Sequence, residues 1–172
     1  MGRVLETNVE FPILEDRVIP VGYPYLEESI DKYDHVETTP QILFISQRTI
    51  GEQFSKFAME VAKYPAINYD IVYKLHPGEY DRWQEEYPWL KEADFEIIDS
   101  SELPLYELFA QSSAQVGVGS TAVFEGLAFG LETFVYVGHG SEVLQVLVED
   151  ETPQLISLPS SAANCPAPSR YA

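Results

Sequence analysis

The hydrophobic pattern is weak at the start of the chain and regular later. Residues 1–16 show no clear periodicity. Arg17 to Val21 (RVIPV) is a short β-branched run, and Gly22-Tyr23-Pro24 is a turn signal. Residues 26–40 (LEESIDKYDHVETTP) are mostly polar and read as a linker or a surface helix. From Gln41 onward, strand-like and helix-like segments alternate. Gln41–Ser46 (QILFIS) is an apolar run suited to a strand buried on both faces. Gly51–Tyr64 carries Phe54, Phe57, Ala58, Val61 and Ala62 at helical spacing. Asp70–Lys74 predicts a second strand, Tyr80–Tyr87 a short helix stopped by Pro88, and Phe95–Ile98 a third strand. Leu105–Gln111 predicts a helix, with Pro104 before it where a missing N–H does no harm. Ala114–Val118 is a fourth strand, Ser120–Phe129 a helix ended by Gly130, and Thr133–Val137 a fifth strand. Ser141–Val148 reads as a helix and Gln154–Leu158 as an edge strand.

Strands and helices alternating with short connections predict βαβ units. The expected fold is α/β: a Rossmann-like, doubly wound parallel sheet of five to six strands, with helices on both faces. The expected organisation is an N-terminal extension and linker-like segment over residues 1–40, one domain over 41–158, and a flexible tail over 159–172. That tail is rich in Pro, Ser and Ala.

Composition narrows the class. A chain of 172 residues fits one domain. With 45% apolar and 13% aromatic residues, disorder is not its main character. No apolar run is long enough for a membrane span, and the first ten residues lack a secretory pattern. Ten Lys/Arg against 28 Asp/Glu give a net charge of −18, which disfavours nucleic acid and anionic membrane surfaces as partners. An anionic ligand must then be held locally, by aimed N–H groups and a few cations. The one cysteine, Cys165, allows no internal disulfide, which fits a reduced, cytoplasmic setting. No cofactor is called for, and no metal-ligand pattern is present.

In an open α/β sheet, ligands bind outside the carboxyl ends of the strands, so the loops there hold the candidate chemistry. Gly117-Val118-Gly119-Ser120-Thr121 leads into a helix. Its glycines allow close approach of the backbone, and a helix N-terminus suits a phosphate. Glu125 lies one turn further on the same face and can accept ribose hydroxyls; it does not fit a capping box. An ordinary helix cap with a solvated glutamate is an equal alternative. In Lys74-Leu75-His76-Pro77-Gly78-Glu79, His76 can donate to a phosphate and Lys74 adds charge. Alone, a turn histidine with a satisfied bond is the commoner outcome. Gln47 and Arg48 after the first strand and His139 after the fifth are further possibilities, each also explicable as part of a turn. Glu149–Glu151 reads as a solvated helix end, and the aromatics between Tyr80 and Trp89 as packing.

Together, His76-Pro77 after one strand and Gly119-Ser120-Thr121 with Glu125 after another resemble the HP and Ser-Ser/Thr motifs of bacterial GT-B sialyltransferases. Related patterns occur in capsule and teichoic-acid polymerising transferases that use CMP- or CDP-linked donors. More distantly, the region from Ser120 to Glu125 is similar to the nucleotide-binding helix of UDP-sugar 2-epimerases. Val18–Glu28 looks like the strand and linker by which such enzymes enter their C-terminal domain. The resemblance covers about residues 17–158. It implies a donor site in which His76, Ser120 and Thr121 contact phosphate and Glu125 holds ribose. The base would lie near Asp99–Leu103, which makes Ser101, after the third strand, a possible site residue through the resemblance. The acidic-acidic-Gly motif that carries the general base in these transferases is absent before the first strand. The resemblance therefore implies a single GT-B half-domain. Such a domain binds a nucleotide or nucleotide-sugar and needs a separate acceptor-binding domain to turn over. Two other readings remain open: a non-catalytic interaction module forming a homo-oligomer on the same fold, and an epimerase-like hydrolase.

Overall fold

The structure, a computed structural model, describes residues 22–138 and 154–156. The run at 17–21, His139, the helix expected at 141–148, the acidic run at 149–151 and the tail with Cys165 all lie outside the described residues.

The fully apolar run in the middle of the sequence becomes the central strand. β1 (Thr39–Ile45) starts two residues before Gln41, because Thr39 already pairs with Ser112. Its side chains alternate between two cores, as the pleat requires. Ile42 and Phe44 face Phe54, Phe57 and Ala58 of helix α2 (Gly51–Val61), whereas Leu43 and Ile45 face Leu108 and Phe109 of helix α4 (Leu105–Gln111). Helices thus cover both faces of the sheet. Between these helices in sequence lie β2 (Asp70–Lys74), the short α3 (Trp83–Glu86) and β3 (Glu96–Ile98). The segment predicted as one helix over 80–87 is shorter and broken. A 3₁₀ turn at Pro77–Glu79 precedes α3, and another at Pro88–Glu92 follows it. Trp83 and Tyr87 are buried there, so these two aromatics pack in the core, in line with the packing role expected for the stretch.

After α4 come β4 (Ser112–Gly117), α5 (Thr121–Ala128), β5 (Glu132–Tyr136) and β6 (Gln154–Ile156). Gly130 ends α5 at φ 84°, and Leu131 N–H donates to the Gly126 carbonyl at 3.2 Å, the cross-over bond of a glycine-terminated helix. The polar stretch read as linker or surface helix holds α1 (Pro24–Tyr33), which begins on a proline and lays Tyr25 against Tyr106 of α4.

All strand pairs are parallel, in the order β3-β2-β1-β4-β5-β6. This is the Rossmann-like doubly wound sheet expected from the sequence, with six strands among the described residues. Its strand order reverses between β1 and β4, and a crevice must open there, at the carboxyl ends of those two strands.

Candidate functional site

A cavity of about 560 Å³ occupies that crevice. Three stretches of backbone build its polar wall. Ser46–Thr49 follow β1, Lys74–Pro77 end β2 and begin the 3₁₀ turn, and Ser120–Ala122 open α5. Ser101 and the less polar stretch Leu103–Leu105 close the side toward β3. Arg48, Lys74 and His76 are in the wall, and among the described residues none that lines it is Asp or Glu, although acids make up 28 of the 172 residues.

Lys74 is 8% exposed. Its ammonium donates to the Ser100 carbonyl at 2.7 Å and to the Tyr80 hydroxyl, and lies over the Tyr80 ring. The Tyr80 hydroxyl also donates to the Ser100 carbonyl at 3.0 Å. These contacts pin the loop after β3 and aim the lysine. Arg48 is exposed. Neither cation belongs to the ion pairs found among the described residues. Those are surface pairs within single helical segments: Lys56–Glu52, Lys63–Glu60 and Arg82–Glu86. The two cations in the wall are therefore free of a carboxylate, among the described residues.

His76 caps the 3₁₀ turn. Its Nδ1 accepts from the Gly78 N–H at 3.0 Å, and its own backbone N–H donates to Glu79 Oε2 at 2.7 Å. The satisfied-turn alternative is thus partly realised. With Nδ1 as acceptor, however, the ring proton sits on Nε2, the nitrogen left to donate elsewhere. Pro77 fixes the turn beside it.

Ser120 is the N-cap of α5, but its side chain makes no cap bond. Its Oγ is shielded from water and has no hydrogen-bond partner among the described residues. A shielded, unmated hydroxyl is costly unless something meets it. It stands in the cavity wall with Thr121, at a helix end that carries unpaired amides and a positive partial charge. Fully buried Gln115 positions this helix: its Nε2 donates to the Val123 carbonyl and to Thr133 Oγ1, at 2.8 Å each.

The sheet brings together eight of the sequence candidates: Gln47, Arg48, Lys74, His76, Pro77, Ser101, Ser120 and Thr121. Gly119 lies in the connection to α5 but not in the wall. Glu125 is one turn down α5, outside the wall and beside Tyr106. Burial and then the Glu125 charge raise the Tyr106 phenol above its usual range. Sequence reasoning missed Ser46, Tyr80 and Glu79. For Glu79 a signal was present: a proline followed two residues later by an acid, behind a polar cap, marks the start of a helical turn. Among the described residues, no group of three or more His, Cys, Asp or Glu gathers as a metal site, and no helix is long and apolar enough to cross a membrane.

No protein-family model matches the chain, and no curated protein matches it. Among solved structures, it is similar to the crystal structure of WaaG, a glycosyltransferase involved in lipopolysaccharide biosynthesis, at 15% identity and a TM-score of 0.47. That match covers 87% of this chain and 42% of the WaaG chain, so this chain spans less than half of that protein. At this level of similarity nothing about the chemistry follows.

Proposed function

We propose that the chain binds a nucleotide or nucleotide-sugar by its phosphate and is the donor half of a GT-B glycosyltransferase. The observation that carries this is the wall of the crevice: among the described residues it holds two cations outside any ion pair and a histidine, with no carboxylate, on a chain of net charge −18. A switch-point crevice whose described lining carries cations and no acid is a site suited to an anion.

In this reading phosphate oxygens take the Ser120 hydroxyl and the first amides of α5. His76 Nε2–H and the Lys74 ammonium face them from the β2 side. The ribose lies toward Glu125, and the base toward Ser101 and Leu103–Leu105, where the wall is less polar. The same groups would stabilise the negative charge that a nucleotide leaving group gains during transfer. In this reading the residue that activates an acceptor is supplied by another domain or chain, since the described residues of the wall include no carboxylate.

Calorimetry with CMP, CDP, UMP and UDP tests the reading. The expected result is binding of at least one nucleotide, weakened by ~1–3 kcal/mol when Ser120→Ala and Thr121→Ala are combined. A folded sample that binds none of the four at millimolar concentration overturns it. Unchanged affinity in the double variant moves the site elsewhere.

A further inference from the structure

Glu79 is not in the cavity wall, yet it is fully buried. It belongs to none of the ion pairs found among the described residues. A carboxylate in that position is costly unless hydrogen bonds reach both of its oxygens. Here three donors do so. Ser46 Oγ and Tyr87 Oη donate to Oε1 at 3.2 and 2.9 Å, and the His76 backbone N–H donates to Oε2 at 2.7 Å. Tyr73 Oη donates in turn to Ser46 Oγ at 3.2 Å. Burial first, and the Glu79 hydrogen bond second, raise the Tyr87 phenol above its ordinary range, so the proton stays on Tyr87 and is donated. Gly51 leaves the space for this cluster, since a Cβ there would meet both Tyr87 and Glu79.

A leucine of similar size would fill this space without burying a polar group. It could not accept the His76 N–H, nor tie that turn to the loop after β1 through Ser46. We infer that Glu79 is the positioning residue of the crevice. Its carboxylate holds the turn that keeps His76 Nδ1 on the Gly78 amide and leaves Nε2–H free for a ligand. The part concerning ligand affinity rests on the phosphate reading above; the positioning of the His76 ring does not.

The test uses the full chain, labelled with ¹⁵N, at about pH 8.5, where an ordinary histidine is neutral. In the wild type, long-range ¹H–¹⁵N spectra are expected to show His76 with its proton on Nε2. Glu79→Gln keeps one acceptor for the His76 N–H and lets the two hydroxyls reverse. It should retain that tautomer and keep CDP affinity within about threefold of wild type. Glu79→Leu should give an averaged tautomer and CDP binding at least about tenfold weaker. A folded Leu variant with an unchanged His76 ring overturns the inference, because filling the space would then suffice. Loss of the Nε2–H tautomer in a folded Gln variant also overturns it. If the Leu variant does not fold, the wild type and the Gln variant still decide: a mixed or Nδ1–H tautomer in the wild type overturns the inference. Should the wild type bind none of CMP, CDP, UMP and UDP while all three ring signatures appear as expected, the positioning role stands and the phosphate reading fails.

Discussion

Gly51 offers a direct test of the packing behind the crevice. It is the first residue of α2, and an added Cβ would lie 2.7 Å from Tyr87 Cζ and closer still to Tyr87 Oη and Glu79 Oε1. Real Cβ atoms do not come within 3.0 Å of such neighbours. Neither neighbour can withdraw. Tyr87 is 4% exposed and packs beside the Trp89 ring, and Glu79 is fully enclosed and holds three hydrogen bonds. Overpacking of this kind costs ~1–3 kcal/mol, and breaking a hydrogen bond to a charged acceptor adds ~1.5–3 kcal/mol. Alanine returns ~1 kcal/mol through helix propensity. The expected net loss for Gly51→Ala is ~3 kcal/mol, which lowers Tm by roughly 10 °C in a chain of this size. Thermal unfolding followed by circular dichroism measures it, with Gly130→Ala as the comparison. At Gly130 nothing lies within 4 Å of an added Cβ, but φ is +84°. Its loss should be only the ~1–2 kcal/mol of a left-handed backbone. A Gly51→Ala protein melting within about 2 °C of wild type would refute the idea that this cluster is closed and rigid.

Two further outcomes follow from buried polar groups. The phenols of Tyr73 and Tyr87 are raised above their usual range, chiefly by burial. In the unfolded chain they release protons first, near pH ~10, so their contribution to stability is constant well below that pH and falls above it, approaching about 2.7 kcal/mol per pH unit for the two together. Urea midpoints flat from about pH 9 to 11 would contradict that sign. At Gly126 an added Cβ would lie 2.5 Å from Gln115 Cδ, so Gly126→Ala should break the bonds that seat α5 and cost ~2–4 kcal/mol. An unchanged denaturant midpoint would show that Gln115 does not anchor the helix.

The sequence by itself determined the alternation of strands and helices, because a strand buried on both faces must be apolar throughout and a covering helix must show a stripe. β2 and α4 agree with their predicted limits to the residue. The least accurate stretch was 77–92, where aromatics serve the core through short 3₁₀ turns that no periodicity marks. The motifs after β2 and β4 named His76, Ser120 and Thr121, because loops at carboxyl ends of strands are where ligands reach the backbone. Only the tertiary structure decided the rest. The strand order opens the crevice between β1 and β4, far apart in sequence, and so joins Arg48 to Ser120 in one wall. Whether a charged residue is paired depends on what packs beside it, so a Lys74 outside every ion pair among the described residues and a triply bonded Glu79 emerge only once the chain is folded.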